Sequence, residues 1–158
     1  DPFWMMSGAL AGIISVASGL DIYFPAITFI VAFVAGLILK PAANILESFG
    51  IDDAVGAVTV HGTIGLYGVI ALGIFGAGYP ALQGAAGEVA TISFLGQVIG
   101  AAVFALLGFI PGYVVSLLLS GLGMLRTPEA AELAGLDPVK VTAAAYPEGI
   151  PASASPNN

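Results

Sequence analysis

Of 158 residues, 58% are hydrophobic and 8% charged, three of them basic and ten acidic, with one histidine and no cysteine. A water-soluble domain of this length carries charge on about a quarter of its residues, so this chain, with a mean hydropathy of +1.03, is expected to have the bilayer as its solvent. Three basic side chains cannot neutralise a run of phosphates, which excludes nucleic acid as a partner. A net charge of -7 argues against polybasic adhesion to a membrane surface. The lack of cysteine removes disulfides, thiol nucleophiles and thiolate metal sites from consideration.

The charges divide the chain into long apolar stretches. Residues 2 to 20 carry none, close to the roughly 20 residues a membrane-crossing helix needs. The stretch begins after Asp1, without an initiator methionine or the basic flank of a signal peptide, so the chain is expected to continue something longer. A second span is expected over 22–39, with Pro25 in its first turn, where a missing backbone donor costs least. It closes at Lys40 and Pro41. Residues 41–51, PAANILESFGI, mix Ile45, Leu46 and Phe49 with Asn44, Glu47 and Ser48, the pattern of a short interfacial helix that Gly50 would end.

A third span is expected over 54–79, opened by Asp52 and Asp53, whose charges suit the positive end of a helix dipole and can accept its unpaired N–H groups. The Gly78–Tyr79–Pro80 cluster closes it. The fourth stretch, 91–125, is longer than a bilayer core of about 30 Å requires; it must tilt, kink or project, and Pro111 is the candidate kink. From Arg126 to residue 158 charges and prolines return. That segment reads as a polar tail, with a helical turn or two over 128–133 and a disordered end, PEGIPASASPNN. Lys40, Arg126 and Lys140 fall on one side of this layout, and Asp21 and Glu88 mark the other. By the positive-inside bias both chain ends are cytoplasmic. The fold class is thus an all-α membrane protein with four transmembrane helices and a short interfacial helix.

His61 stands seven residues past Ala54, about 10 Å into the third span. An ionisable group at that depth is costly, which points to a functional role; the plainer alternative is a neutral imidazole hydrogen-bonded to a neighbouring helix. Apolar surroundings disfavour imidazolium, leaving one ring nitrogen as donor and the other as acceptor. No second histidine exists for a metal site, and Thr59 and Thr63 lie on different helix faces from His61. No paired general acid and base lie within reach on any span, so an enzyme is not expected. Gly65 and Gly68, at i+4 and i+7 from His61, continue a stripe without side chains that either admits a close helix or leaves a narrow passage. Glycines also recur four apart at Gly8/Gly12, Gly96/Gly100 and Gly108/Gly112, as in tightly packed membrane helices.

The segment GIDDAVGAVTVHGTIGLYGVIALGIFGAGYP, residues 50–80, resembles the histidine-bearing tenth helix of the ammonium transporter family (Amt/Mep/Rh), whose pattern is close to DDPVGAxxVHGxxGxxG. The opening GALAGIISVASG is similar to that family's eighth helix. FIPGYVVSLLLSGLGMLRTPEAAELAGLD, residues 109–137, resembles its last helix and the start of its cytoplasmic tail. The resemblance implies the C-terminal part of an eleven-helix bundle, covering about four spans, with the N-terminal transporter helices supplied elsewhere.

It further implies a homotrimer in the cell membrane, the inner membrane of a bacterium, with one apolar pore per subunit and two histidines meeting halfway through it. His61 matches the second of these. Ammonium would be recruited outside, lose its proton and cross as ammonia, a sensible route because a bare cation at mid-bilayer is expensive. Ala57, one turn before His61, would line the cytoplasmic side of the pore. Asp52 and Asp53 match the family's acidic pair and are read as a structural cap. The tail is a candidate contact for a PII regulatory protein, lipid surrounds the spans, and no cofactor or metal is implied.

The sequence departs from the pattern at Ala54, where the family has proline, and at Tyr67, where tryptophan is frequent. The first pore histidine, the phenylalanine gate and the outer recruitment site belong to earlier helices, and Phe3, Trp4 and Phe24 do not match them. A second class of function stands beside transport: a non-transporting membrane subunit or ammonium sensor acting through its cytoplasmic tail.

Overall fold

The computed structural model describes residues 2–80 and 91–135. Their order is α1 (Pro2–Val16) running into a short 3-10 turn (Ala17–Gly19), α2 (Pro25–Ser48), a π-helical segment (Ala57–Thr63) that leads directly into α3 (Ile64–Phe75), α4 (Phe94–Gly121) and a short α5 (Glu129–Ala134). Four helical stretches are long and apolar enough to cross a membrane: Pro2–Gly19, Pro25–Ser48, Ala57–Phe75 and Phe94–Gly121. The architecture is therefore all-helical with four candidate spans. The disordered end expected for the tail and the Glu88 connection lie outside the described residues.

α2 begins with Pro25 in its first turn, where the fixed φ suits a helix and the absent N–H is not needed. It then departs from expectation. No separate interfacial helix follows Lys40; α2 runs through Lys40 and Pro41 to Ser48. The reason lies on its buried face, where Val31, Ala35, Leu39 and Ala43 follow one another at four-residue intervals. That stripe crosses the Lys40–Pro41 position without a break. Its packing outweighs the one intrahelical hydrogen bond that Pro41 cannot donate. Gly50 ends the helix as expected, with φ +74° and its N–H donated to the Glu47 carbonyl.

α1, α2 and α3 pack through two apolar clusters. One joins Ala11, Ala35, Leu39, Val60 and Ile64, with Trp4 and Tyr67 at its margin. The other joins Val16, Tyr23, Val31, Ala71, Leu72 and Ile92. Polar side chains tie the same helices where an apolar medium offers no competing water. The Ser18 hydroxyl donates to the Gly68 carbonyl at 3.0 Å, and the Tyr67 hydroxyl donates to the Val31 carbonyl at 3.2 Å.

At 28 residues, α4 is about 42 Å long. It carries Pro111 in its interior and buries Ala101 alone among its described residues. Phe104, Leu107, Phe109 and Leu118 are among its many exposed apolar side chains. The chain divides within α4 into two compact units, the first ending at Gly108. In the second, α5 carries Glu132, which pairs with Arg126 at 4.0 Å on an exposed surface.

Candidate functional site

The histidine lies in an unusual stretch of backbone. Residues 57–63, AVTVHGT, are wound as a π-helix between Gly56 and the regular turns of α3. In this winding an N–H reaches back five residues instead of four, so each hydrogen-bonded ring encloses one residue more than in an α-helix; such turns are rare and recur at functional sites. The N–H of Ile64 accordingly donates to the carbonyl of Thr59. The span thus starts at Ala57, three residues later than expected, and ends at Phe75, where Gly76 donates to the Leu72 carbonyl at 2.8 Å.

The entry to this segment is organised by one carboxylate. Asp53 Oδ1 accepts the N–H of Val58 at 3.0 Å, and Oδ2 accepts both the N–H and the hydroxyl of Thr59 at 2.8 Å each. These N–H groups belong to the first turn and have no partner further back in their own helix. Gly56, with φ +71°, lets the chain reverse between Asp53 and its donors, a conformation costly for any residue with a Cβ. Partial burial pushes the Asp53 carboxyl up, but hydrogen bonds from the backbone of Thr59, Val58 and Ala57 and from the Thr59 hydroxyl outweigh it, and its pKa is lowered. The acidic pair is therefore not equivalent: Asp52 is exposed and no hydrogen bond of its side chain occurs among the described residues.

His61 and Ala57 are both exposed on this chain. Thr59 is buried beside them, and Val60 and Ile64 are buried in the cluster with Ala11, Ala35 and Leu39. The surface carrying His61 is thus left uncovered by α1 and α2, and the expected stripe below it divides. A Cβ on Gly65 would meet nothing within 4 Å, whereas one on Gly68 would come 2.5 Å from the Ser15 carbonyl oxygen. Gly68 is a close helix contact and Gly65 faces open space. Both glycines lie in the regular turns of α3, and the split follows from where α1 approaches it, with the Ser15 backbone against Gly68 and not against Gly65.

Of the other glycine pairs, only Gly12 approaches a neighbouring helix, with its added Cβ 3.6 Å from that of Ala32. Gly8, Gly100, Gly108 and Gly112 have open space, and Gly96 meets only the Ser93 hydroxyl next to it in the chain. Thr59 lies on a different helix face from His61, so the sequence alone does not single it out as a partner of the histidine. Its signal was the spacing Asp53-x5-Thr59, which puts a buried hydroxyl within reach of a capping carboxylate.

Four apolar spans, hydrogen bonds from Ser18 and Tyr67 between helices and an ionisable side chain on a spanning helix define a multi-pass helical membrane protein. The model of the Ammonium Transporter Family matches residues 1–146, and the chain belongs to that family. It is 36% identical over 149 residues to ammonium transporter Amt2 of Methanocaldococcus jannaschii, which covers 94% of this chain and 34% of that protein. Ammonium transporter Amt1 of the same organism is 38% identical over 153 residues, covering 94% and 37%. Ammonium transporter Amt2 of Archaeoglobus fulgidus is 32% identical over 148 residues, covering 89% and 32%. The chain thus spans about a third of the length of these curated relatives. No solved structure matches it significantly.

Proposed function

We propose that this chain is the C-terminal part of an ammonium transporter, that His61 and Ala57 line its pore, and that the remaining wall comes from helices outside the chain. The observation that carries this is the exposure of His61 on a spanning helix whose neighbours Val60 and Ile64 are buried. A polar ring on an apolar span needs either a partner or a solute on that side. A neutral imidazole can accept a hydrogen bond from ammonia at one nitrogen and donate at the other, which suits a small polar molecule that has left its proton and water behind. Gly65, with open space in front of it, extends the same surface beyond the ring.

On this reading the protein is no enzyme: it moves ammonium or ammonia without changing covalent bonds other than those to the proton. It assembles as a homotrimer in a cell membrane, with both ends of this chain on the cytoplasmic side. Asp52 contributes charge near the entry of the span, and Asp53 caps it. The tail after Arg126 offers the contact for a PII regulatory protein.

Uptake of labelled methylammonium by the longer protein in proteoliposomes tests the reading. Wild type is expected to accumulate label and His61→Ala to lose at least nine-tenths of the rate while still assembling. Absence of uptake by the assembled wild type would favour the non-transporting subunit or sensor instead.

A further inference from the structure

We propose that Thr59 and Asp53 are positioning residues for His61, holding open the wide turn that aims its imidazole; the inference rests on the reading of His61 as a pore residue. Thr59 is 1% exposed, and all three of its polar groups are engaged. Its N–H and its hydroxyl both donate to Asp53 Oδ2 at 2.8 Å. Its carbonyl accepts the N–H of Ile64. That last bond reaches across five residues and its ring of atoms encloses His61. One end of the wide turn is thus fastened to the Asp53 carboxylate through Thr59, and the other end is Ile64, which is fully buried.

A simple helix cap would not need this arrangement. Capping is complete once the carboxylate takes the first free N–H groups, as Asp53 does with Val58 and Thr59. The extra bond from the Thr59 hydroxyl fixes its side chain and anchors the residue whose carbonyl closes the i→i+5 ring. The anchored ring matters because of what it encloses. Tightening an i→i+5 turn to i→i+4 removes one residue from the turn, and one residue corresponds to about 100° of rotation round a helix. Val60 and Ile64 are held in the core on either side, so rewinding would turn His61 relative to them. A ring that must face a passage only wide enough for ammonia tolerates little of this.

The test uses the longer protein in proteoliposomes, with the variants Thr59→Val, Thr59→Ser and Asp53→Asn. The readouts are maximal rate and KM for methylammonium and the ring nitrogen NMR signals of His61, identified by their loss in His61→Gln. Thr59→Val, which keeps the shape and removes the hydroxyl, is expected to lower the maximal rate about tenfold, to leave KM within about twofold, and to shift the His61 ring signals. Thr59→Ser, which restores the hydroxyl, is expected to return both to wild type. Asp53→Asn should follow Thr59→Val and serves in its place should that variant fail to assemble. Unchanged ring signals in Thr59→Val or Asp53→Asn would overturn the proposal, as would failure of serine to rescue. Because the ring signals are read without transport, they decide the positioning role even where the wild type moves no substrate, the outcome that instead removes the transport reading.

Discussion

The Lys40 ammonium sits 4.1 Å from the centroid of the Trp4 ring, a cation–π contact that ties the start of α1 to α2 beside the interior Pro41. Lys40 is exposed and Trp4 half-buried, so the pair occupies the boundary where an ammonium can keep water while its stem covers apolar surface. Contacts of this kind are worth about 0.5–1 kcal/mol at exposed sites. A double-mutant cycle of Lys40→Met and Trp4→Leu, followed by thermal unfolding in detergent, is expected to return a coupling of that size. Strict additivity of the two would remove the contact from the account.

The divided glycine stripe gives a paired experiment. Gly68→Ala places a methyl group 2.5 Å from the Ser15 carbonyl oxygen, and backbone atoms cannot yield as a flexible side chain would. The variant should lose about 1–3 kcal/mol, the usual range for overpacking. Gly65→Ala meets nothing and gains helix propensity, so its unfolding midpoint should equal or exceed that of wild type. Should Gly65 border the passage, the same variant would slow methylammonium uptake without any loss of stability.

Asp53 makes stability depend on acid. Its carboxyl pKa is lower in the folded chain than the ordinary 3.8, because the charged form accepts hydrogen bonds that the unfolded chain does not offer. Its contribution is therefore complete above the unfolded value and disappears as pH falls through the lowered folded value. Asp53→Asn should be less stable than wild type by about 0.5–2 kcal/mol near neutral pH, the scale of a lost helix cap. The difference should shrink as pH falls below that of an ordinary carboxyl group. Parallel unfolding curves at every pH would contradict this.

Tyr23 supplies a case with the opposite sign. Its hydroxyl is buried and has no hydrogen-bond partner among the described residues. Ser18 lies close enough to favour the phenolate, but its own hydroxyl is committed to the Gly68 carbonyl. Burial raises the Tyr23 pKa, the neighbouring Tyr67 adds to this and Ser18 opposes it. Tyr23→Phe removes an unsatisfied polar group while keeping the ring on Gly19, and it should be neutral or stabilising by about 1 kcal/mol. A loss of stability would reveal a partner for that hydroxyl. Gly19→Ala should be severely destabilising, since its Cβ would fall 2.5 Å from the Tyr23 ring.

Much of the architecture was legible because charges are so scarce. Asp21 and Asp52–Asp53 lie outside the helices they delimit, and Pro25 marks the first turn of α2. Lys40–Pro41 misled as a boundary because a local breaker was weighed above a longer pattern. The four-residue spacing of Val31, Ala35, Leu39 and Ala43 runs straight through it, and that spacing was present in the sequence. The winding around His61 was not legible in the same way. No residue pattern distinguishes a π-turn from an α-turn, and the distinction depends on where Asp53 and Thr59 meet in space. Gly65 and Gly68, identical in the sequence, differ because α1 comes up against only one of them, at Ser15, a tertiary contact that spacing along one helix does not reveal.

The spacing of small residues has one more effect, on how the helices stand. α1 buries Ser7, Ala11 and Ser15, and α2 buries Val31, Ala35, Leu39 and Ala43, both in steps of four. A row advancing four residues at a time slews round its helix by about 40° per step. Helices seamed along two such rows cross obliquely, at about 50° instead of the roughly 20° of a coiled-coil pair. They cannot both stand upright between the two leaflets. α2, with 24 residues, is about 36 Å long against a hydrocarbon layer of about 30 Å. A lean of about 30° brings its vertical reach close to that thickness, so the packing row that carries the helix past Pro41 also disposes of its surplus length.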